Sequence, residues 1–412
     1  MPHGIQQRVT AVLLLAFFVS GCARPHDGEV PWRKGNLHTH SLWSDGDDFP
    51  EMIVDWYKTN GYDFIALSDH NTLAEGEQWV SARDLQQGAL AEYLDRFGSE
   101  WVNLSVQEGD TLVRLKTLAE YRPLLEEEGQ YVIIQSEEIN GRFESKHIGI
   151  NATNLMEVIA PQAGNSVLDV MQRNVDAVLE QRQKTGRPMF PHINHPNYQW
   201  AVTAADLAAL EGDRFFEVYN GHPDVHNEGD STRIGTDRMW DVVLAERLLH
   251  GREIMYGLAV DDAHHYHGQA SRLVNPGRGW IQVRSESLET DSLIAAMERG
   301  DFYASTGVKI ADIKFTRDAL SITLDAEPGV SYTTEFVGTR MPRAESDSDD
   351  YDAQQRSIQV GVLLDKAEGS SASYTFTGDE LYVRARVVSD KTKENGQRDG
   401  ELEVAWTQPV LP

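Results

Sequence analysis

GNLHTHSLWSDG (residues 35–46) and, one helix later, YDFIALSDHN (residues 62–71) decide how this chain reads. Each pairs an apolar run with metal-ligand side chains. His38 and His40 stand two residues apart, so on a strand end both imidazoles point the same way, as one ion requires. Asp45 follows on a turn that contains Gly46. His265 and His267 form a second His-x-His pair, so the pair alone carries little weight and its context decides.

Residues 50–60 read as a helix, with Pro50 at its start and Gly61 just past its end. Residues 62–68 read as a buried strand that delivers Asp69-His70-Asn71. Together these make a β-loop-α-β unit, the repeat of an α/β barrel or a doubly wound sheet. Such folds keep their chemistry at the C-terminal ends of the strands. Asp69 could instead cap a helix beside a polar turn.

The same pattern recurs downstream. Residues 131–136 (YVIIQS) form a strand ending in Glu137-Glu138-Ile139. Neighbours on a strand face opposite sides, so only one glutamate should point inward. Another strand ends near His147–Asn151, and a helix over 165–185 stops at Gly186-Arg187-Pro188. Strand 189–193 delivers His195; His192 competes for that role, but its place inside the strand suits packing better. Strand 215–219 contains Glu217 and leads to His222, and strand 254–260 ends at Asp261-Asp262-Ala263-His264. Residues 72–130 separate the second and third strands and read as a helical insertion. Their segment 112–128 is amphipathic and broken at Pro123.

Both ends of the chain differ in character. Residues 9–19 (VTAVLLLAFFV) have the length of a secretory apolar core, and Val19-Ser20-Gly21-Cys22 resembles a bacterial lipobox. Residues 1–22 therefore read as a lipoprotein signal peptide with lipid on Cys22, and residues 23–34 as a tether. A plain signal peptide with an incidental cysteine is the alternative. Cys22 is the only cysteine, which excludes disulfides and thiolate chemistry in the mature chain. Ala23 follows it where an aspartate would favour the inner membrane, so the expected location is the outer membrane, facing the periplasm. From Val308 onward, short alternating runs separated by polar turns predict an antiparallel β-sandwich over 308–412. The acidic stretch 345–352 lacks the ligand order of an EF-hand and reads as a solvated loop.

A formal net charge of -28 repels phosphate backbones and disfavours nucleic acid as a partner. A small anion could still bind where metal ions reverse the local field.

His38, His40, Asp45, His70, Glu138, His147, His195, Asp262 and His264 all fall near predicted strand ends. Their order resembles the PHP (polymerase and histidinol phosphatase) superfamily over residues 35–306. That resemblance implies a distorted (β/α)7 barrel and two or three divalent ions, Zn, Mn or Fe. It implies one ion held by His38, His40, Glu138 and Asp262. A second would be held by Glu138, His147 and His195, and a third by Asp45, His70 and His264.

The implied activity is a phosphoesterase acting on a small phosphomonoester or phosphodiester through metal-activated water. His222 and Glu217 are candidates to orient substrate or protonate the leaving group, or else to support the ligands. Arg142 is a candidate phosphate contact. Exonuclease-like nucleotide hydrolysis and amide or lactone hydrolysis on the same ions are the enzymatic alternatives. A non-enzymatic alternative is a lipoprotein that binds glycan or envelope through its β-domain, with a metal-stabilised barrel.

Overall fold

In this computed structural model, residues 30–341 and 358–412 are described. The signal segment with Cys22 and the acidic stretch 345–352 lie outside the described residues. The chain enters with β1 (Trp32–Asn36), α1 (Pro50–Thr59) and β2 (Phe64–Leu67). A side region holds β3 (Trp79–Ser81), α2 (Ala89–Phe97), β4 (Leu104–Gln107), β5 (Asp110–Arg114) and α3 (Leu118–Leu125). Next come β6 (Val132–Phe143), β7 (Lys146–Thr153), α4 (Val167–Thr185), β8 (Phe190–Ile193), α5 (Ala204–Ala209) and β9 (Phe215–Asn220). They are followed by α6 (Thr236–Leu249), β10 (Tyr256–Val260), β11 (Trp280–Arg284), α7 (Thr290–Glu298) and β12 (Phe302–Ser305). The described C-terminal residues add β13 (Ile310–Phe315), β14 (Ala319–Leu324), β15 (Tyr332–Arg340), β16 (Gln359–Glu368), β17 (Ser371–Thr375), β18 (Glu380–Thr392) and β19 (Leu402–Thr407).

One sheet runs β10-β9-β8-β7-β6-β2-β1-β11-β12-β19-β18-β15-β16. Its first seven strands, β10 through β1, curl so that the end of β10 returns to the end of β1. There the Asp262 N–H donates to the His38 carbonyl and the His40 N–H to the Ala263 carbonyl, both at 2.9 Å. The pairs β1/β2, β2/β6, β8/β9 and β9/β10 are parallel, and β7 is antiparallel to both neighbours. Parallel strands buried on both sides must be apolar throughout. β2 (FIAL) and β10 (YGLAV) are buried at every position, and Phe64, Ile134, Phe190, Phe215 and Leu258 share one core.

Three boundaries move from their expected places. The tether over 23–34 ends sooner, because Trp32–Lys34 pair antiparallel with β11 through Trp32↔Arg284 and Lys34↔Gln282. The Trp32 indole N–H donates to the Ala311 carbonyl at 2.9 Å, which fixes that strand end. The insertion 72–130 is not purely helical, since β3, β5 and β4 form a sheet of their own. Short polar-apolar alternations such as Leu104-Ser105-Val106-Gln107 satisfy strand pairing once the turn at Glu108-Gly109 folds them back. Lastly, β6 continues through Glu137 and Glu138, and His147 lies near the start of β7 rather than at a strand's end.

Past Val308 the main sheet continues without a break, because β12 pairs with β19. The smaller sheet β13-β14-β17 shares an apolar core with it, including Ile310, Leu320, Ile322, Phe336, Tyr374, Val383 and Ala385.

Asp213, just before β9, gives a pH test of this core. It is buried; Oδ1 accepts the Phe215 N–H at 2.9 Å and Oδ2 has no partner among the described residues. Burial pushes its pKa up to about 8, against the pull of the Phe215 and Arg214 N–H groups and of Arg247. The unfolded chain releases this proton near its ordinary value of 3.8, while the folded chain holds it to about 8. Stability is therefore lost as pH rises through that window. Asp213→Asn should melt at least about 2 °C above wild type at pH 8, with little difference near pH 4. Equal melting temperatures at pH 8 would contradict this.

Candidate metal centre

The centre forms where β1, β2, β6, β8, β9 and β10 present their ends or inward faces. His38 and His40 continue the line of β1 and are completely buried. His70 follows β2 and makes an isolated parallel bridge to Glu138. Glu138 sits in β6 where the strand changes partners, from parallel β2 up to Gln135 to antiparallel β7 from Ser136. Alternation separates the two glutamates. Glu138 turns to the centre; Glu137 turns away and accepts the Ile159 N–H at 2.9 Å, its pKa pushed up to about 7 by burial.

The distances converge on two carboxylates. Glu138 Oε2 lies 2.8 Å from His70 Nδ1, 3.4 Å from His38 Nε2 and 3.5 Å from His40 Nε2. Asp262 Oδ1 lies 3.1 Å from both His38 Nε2 and His40 Nε2. On the outer side, Asp45 Oδ1 lies 3.3 Å from His70 Nε2 and 3.3 Å from His264 Nε2. His40 is sandwiched between the His70 and His264 rings, at centroid distances of 4.3 and 4.1 Å. His195 Nε2 stands 3.8 Å from Glu138 Oε1 and 4.0 Å from Asp262 Oδ2.

Eight of the nine expected ligands are thus linked. His147 lines the same cleft but is exposed, with Nε2 2.7 Å from an Arg142 guanidinium nitrogen; the two residues pair across the β6–β7 hairpin. Arg142 is therefore on the rim rather than in the cleft.

The charges of the cluster are strongly coupled. Burial opposes charge on Glu138, yet His70 and His38 hold its pKa well below the usual range. Burial likewise opposes protonation of His38, but Asp262 and Glu217 hold its pKa well above normal. The His70 pKa is pushed up to about 11, chiefly by Glu138 against the effect of burial. His40 goes the other way, down to about 3, through burial and the neighbouring His264 and His70 charges. Its Nδ1 is buried without a hydrogen-bond partner among the described residues. Imidazolium protons thus balance the ionised carboxylates here, and divalent cations would displace those protons. Among the described residues, three groups have ligand atoms close enough to share an ion: His40, Asp45, His70 and His264; His38, His40 and Asp262; His38, His192 and Glu217. The mixed imidazole and carboxylate donors suit Zn, Mn or Fe.

Of the two roles expected for Glu217, its surroundings fit support of the candidate ligands. It is buried beneath the ligands. Its carboxylate takes His38 Nδ1 at 2.7 Å, His192 Nε2 at 3.2 Å, the His195 N–H at 2.7 Å and the Asn220 amide at 2.8 Å. It is the third residue of β9, below the strand end, and its contacts are to His38, His192, the His195 backbone and Asn220. Held ionised by His38 and His192, with a pKa of about 2 despite burial, it accepts the His38 Nδ1 proton in a hydrogen bond and so leaves Nε2, which faces Glu138 and Asp262, as the nitrogen an ion would use. Glu217→Ala should weaken metal binding by about 10–100-fold in a metal titration. Unchanged affinity would contradict that role.

His222 does line the cleft, with Asp45, Asn140, Tyr198 and Val274 among its neighbours, around a volume of about 510 Å³. Its Nδ1 accepts the Asp224 N–H at 3.1 Å, which leaves Nε2 as the nitrogen available to the cleft. Burial lowers its pKa. The sequence reading missed Asn140, whose amide contacts His70 Nδ1. It also missed Tyr198, which packs on His195 and His222 at 5.1 and 5.7 Å. The turn His195-Pro196-Asn197-Tyr198, closed by a 2.8 Å bond from the Tyr198 N–H to the His195 carbonyl, was the available signal for Tyr198.

No family model matches this chain. Similarity to a DNA polymerase/3'-5' exonuclease PolX of Bacillus subtilis (strain 168) reaches 30% identity over 76 residues, 18% of this chain and 13% of that protein. The match thus spans about an eighth of the relative's length. A two-domain protein from Bacteroides vulgatus, containing a predicted PHP-like metal-dependent phosphoesterase, is 14% identical. It covers 92% of this chain and 95% of its own, with a TM-score of 0.40. An amidohydrolase from Chromobacterium violaceum, solved with sulfate and no metal, is 13% identical over 56% of this chain and 88% of its own, with a TM-score of 0.25.

Proposed function

We propose that this protein is a PHP-type metal-dependent phosphoesterase that hydrolyses a small phosphomonoester or phosphodiester. The observation that carries the reading is Glu138 Oε2 within 3.5 Å of three imidazoles, with Asp262 shared by two of them, beside an open cleft. Clustered ionised carboxylates and buried imidazoles are costly to hold together unless cations compensate them. The ring of seven strands, closed at His38–His40 and Asp262–Ala263 and irregular at β7, supports a distorted (β/α)7 barrel; the two-sheet core past Val308 supports a β-sandwich.

His38, His40, Glu138 and Asp262 would hold one ion, Glu138 and His195 with His147 a second, and Asp45, His70 and His264 a third. Bound divalent ions would lower the pKa of an attached water and neutralise charge on phosphoryl oxygens. The chain's own groups do the rest. Glu217 fixes the His38 tautomer, Arg142 at the rim meets a phosphate oxygen, and His222 Nε2 passes a proton to the leaving oxygen. The net charge of -28 favours a small substrate over a nucleic acid.

The test is turnover of p-nitrophenyl phosphate and bis-p-nitrophenyl phosphate against a model anilide and a lactone, with Zn or Mn supplied. Phosphoester turnover with the other two inert supports the reading. Hydrolysis of the anilide or lactone alone would replace it. The reading also places the chain on the periplasmic side of the outer membrane through lipid on Cys22. Cys22→Ala should then move the protein from the membrane to the soluble fraction, and an unchanged membrane fraction would count against the anchor.

A further inference from the structure

Three successive carbonyls on the loop that carries His222 are held by side chains from elsewhere in the chain. The Gln397 amide donates to the Asn220 carbonyl and, at 2.9 Å, to the His222 carbonyl. Between them, Arg278 Nη1 donates to the Gly221 carbonyl at 2.8 Å. Gln397 Oε1 in turn accepts from Asn227 Nδ2 at 3.3 Å, and that amide also donates to the Asn220 carbonyl at 2.8 Å.

Arg278 belongs to the same assembly. Its Nε donates at 3.0 Å to the carbonyl of Asn395, whose amide donates at 2.8 Å to the Pro276 carbonyl. Both Asn395 and Gln397 lie on the loop between β18 and β19. Gln397 follows the residues it grips by 177 and 175 positions. The loop is braced from within: Glu401 takes the Gln397 N–H at 2.8 Å and the Lys393 ammonium at 2.5 Å. Lys393 also lies 4.0 Å from the centroid of the Tyr219 ring in β9.

The gripped turn has little room to relax. A Cβ on Gly221 would lie 2.5 Å from the Asp261 carbonyl oxygen and 3.0 Å from Arg278 Cβ. Asn220 ties the turn to the centre: Oδ1 accepts the His222 N–H at 2.7 Å, and Nδ2 donates to Glu217 at 2.8 Å and to Asp262 at 3.1 Å.

We propose that the loop 393–401 is a clasp that completes the candidate site, with Gln397 a positioning residue that sets where His222 stands. This gives the C-terminal strands a part in turnover, and its kinetic half rests on the phosphoesterase reading. A direct test is hydrogen exchange by mass spectrometry on the soluble chain. Gln397→Ala should speed exchange over residues 220–226 by about 10-fold or more, with β1 and β2 unchanged. Gln397→Glu keeps the side chain's size, loses both N–H donors and should do the same.

The kinetic arm is a double-mutant cycle on p-nitrophenyl phosphate. Gln397→Ala should cut turnover about 10-fold in the wild-type background and leave the His222→Ala background unchanged, because a residue acting through His222 cannot add to its loss. Wild-type exchange at 220–226, or an equal loss in both backgrounds, would overturn the clasp. A chain that turns over no phosphoester would fail the functional reading alone, and the exchange result would still decide the clasp.

Discussion

Glu138→Gln should abolish turnover and strip metal from a chain that still folds. Glu138 is the point at which His38, His40, His70 and His195 all come within 4 Å of one carboxylate. The change keeps the side chain's shape and removes its charge. It leaves His38 and His70 without the carboxylate that helps hold their protons, and any ion without a shared anionic ligand. Loss of an outer partner to a ligand typically costs about 10–100-fold, so loss of a shared ligand should exceed about 100-fold in activity and reduce bound metal. The metal lost should be chiefly that of the two positions Glu138 would share; steady-state kinetics, metal analysis and a melting curve on the same preparation check this. Near-wild-type turnover would remove Glu138 from the centre.

An equal loss is expected from Gly149→Ala, at a residue that is itself no ligand. Gly149 lies on β7 opposite Asn140. A Cβ there would sit 2.4 Å from Glu138 Oε1 and 2.8 Å from Asn194 Nδ2. Asn194 cannot yield easily. Asn194 Oδ1 accepts the Asn151 N–H at 3.1 Å and its amide donates to Asn151 Oδ1 at 3.1 Å. The methyl group should therefore displace the Glu138 carboxylate and lower both metal content and turnover by about 100-fold, while far-ultraviolet circular dichroism stays unchanged. Full activity in Gly149→Ala would mean that Glu138 does not occupy the place described.

These two residues also mark how far the sequence could be read. His38, His40, Asp45, His70, Asp262 and His264 are legible because their spacing is local: each sits within a few residues of a short apolar run. Strand alternation makes legible that only one of Glu137 and Glu138 faces inward; the choice of Glu138 comes from the family resemblance. Gly149 carries no such signal, because its importance comes from the register of β7 on β6. The same register puts His147 across from Arg142, at the exposed edge of the cleft it lines, which no local pattern shows. Glu217 is legible from its place in an apolar strand, but whether it meets substrate or supports His38 and His192 depends on depth in β9, which no local pattern gives. Gln397 and Arg278 lie far in sequence from the loop they hold, and nothing local in Asn220-Gly221-His222 points to them.

Metal content tests the central claim most directly. The soluble chain beginning after Cys22, purified without chelators and supplied with Zn or Mn, should carry about two to three ions per chain by mass spectrometry. The Glu138→Gln chain should carry far fewer. A folded wild-type chain that takes up neither Zn nor Mn would contradict the account.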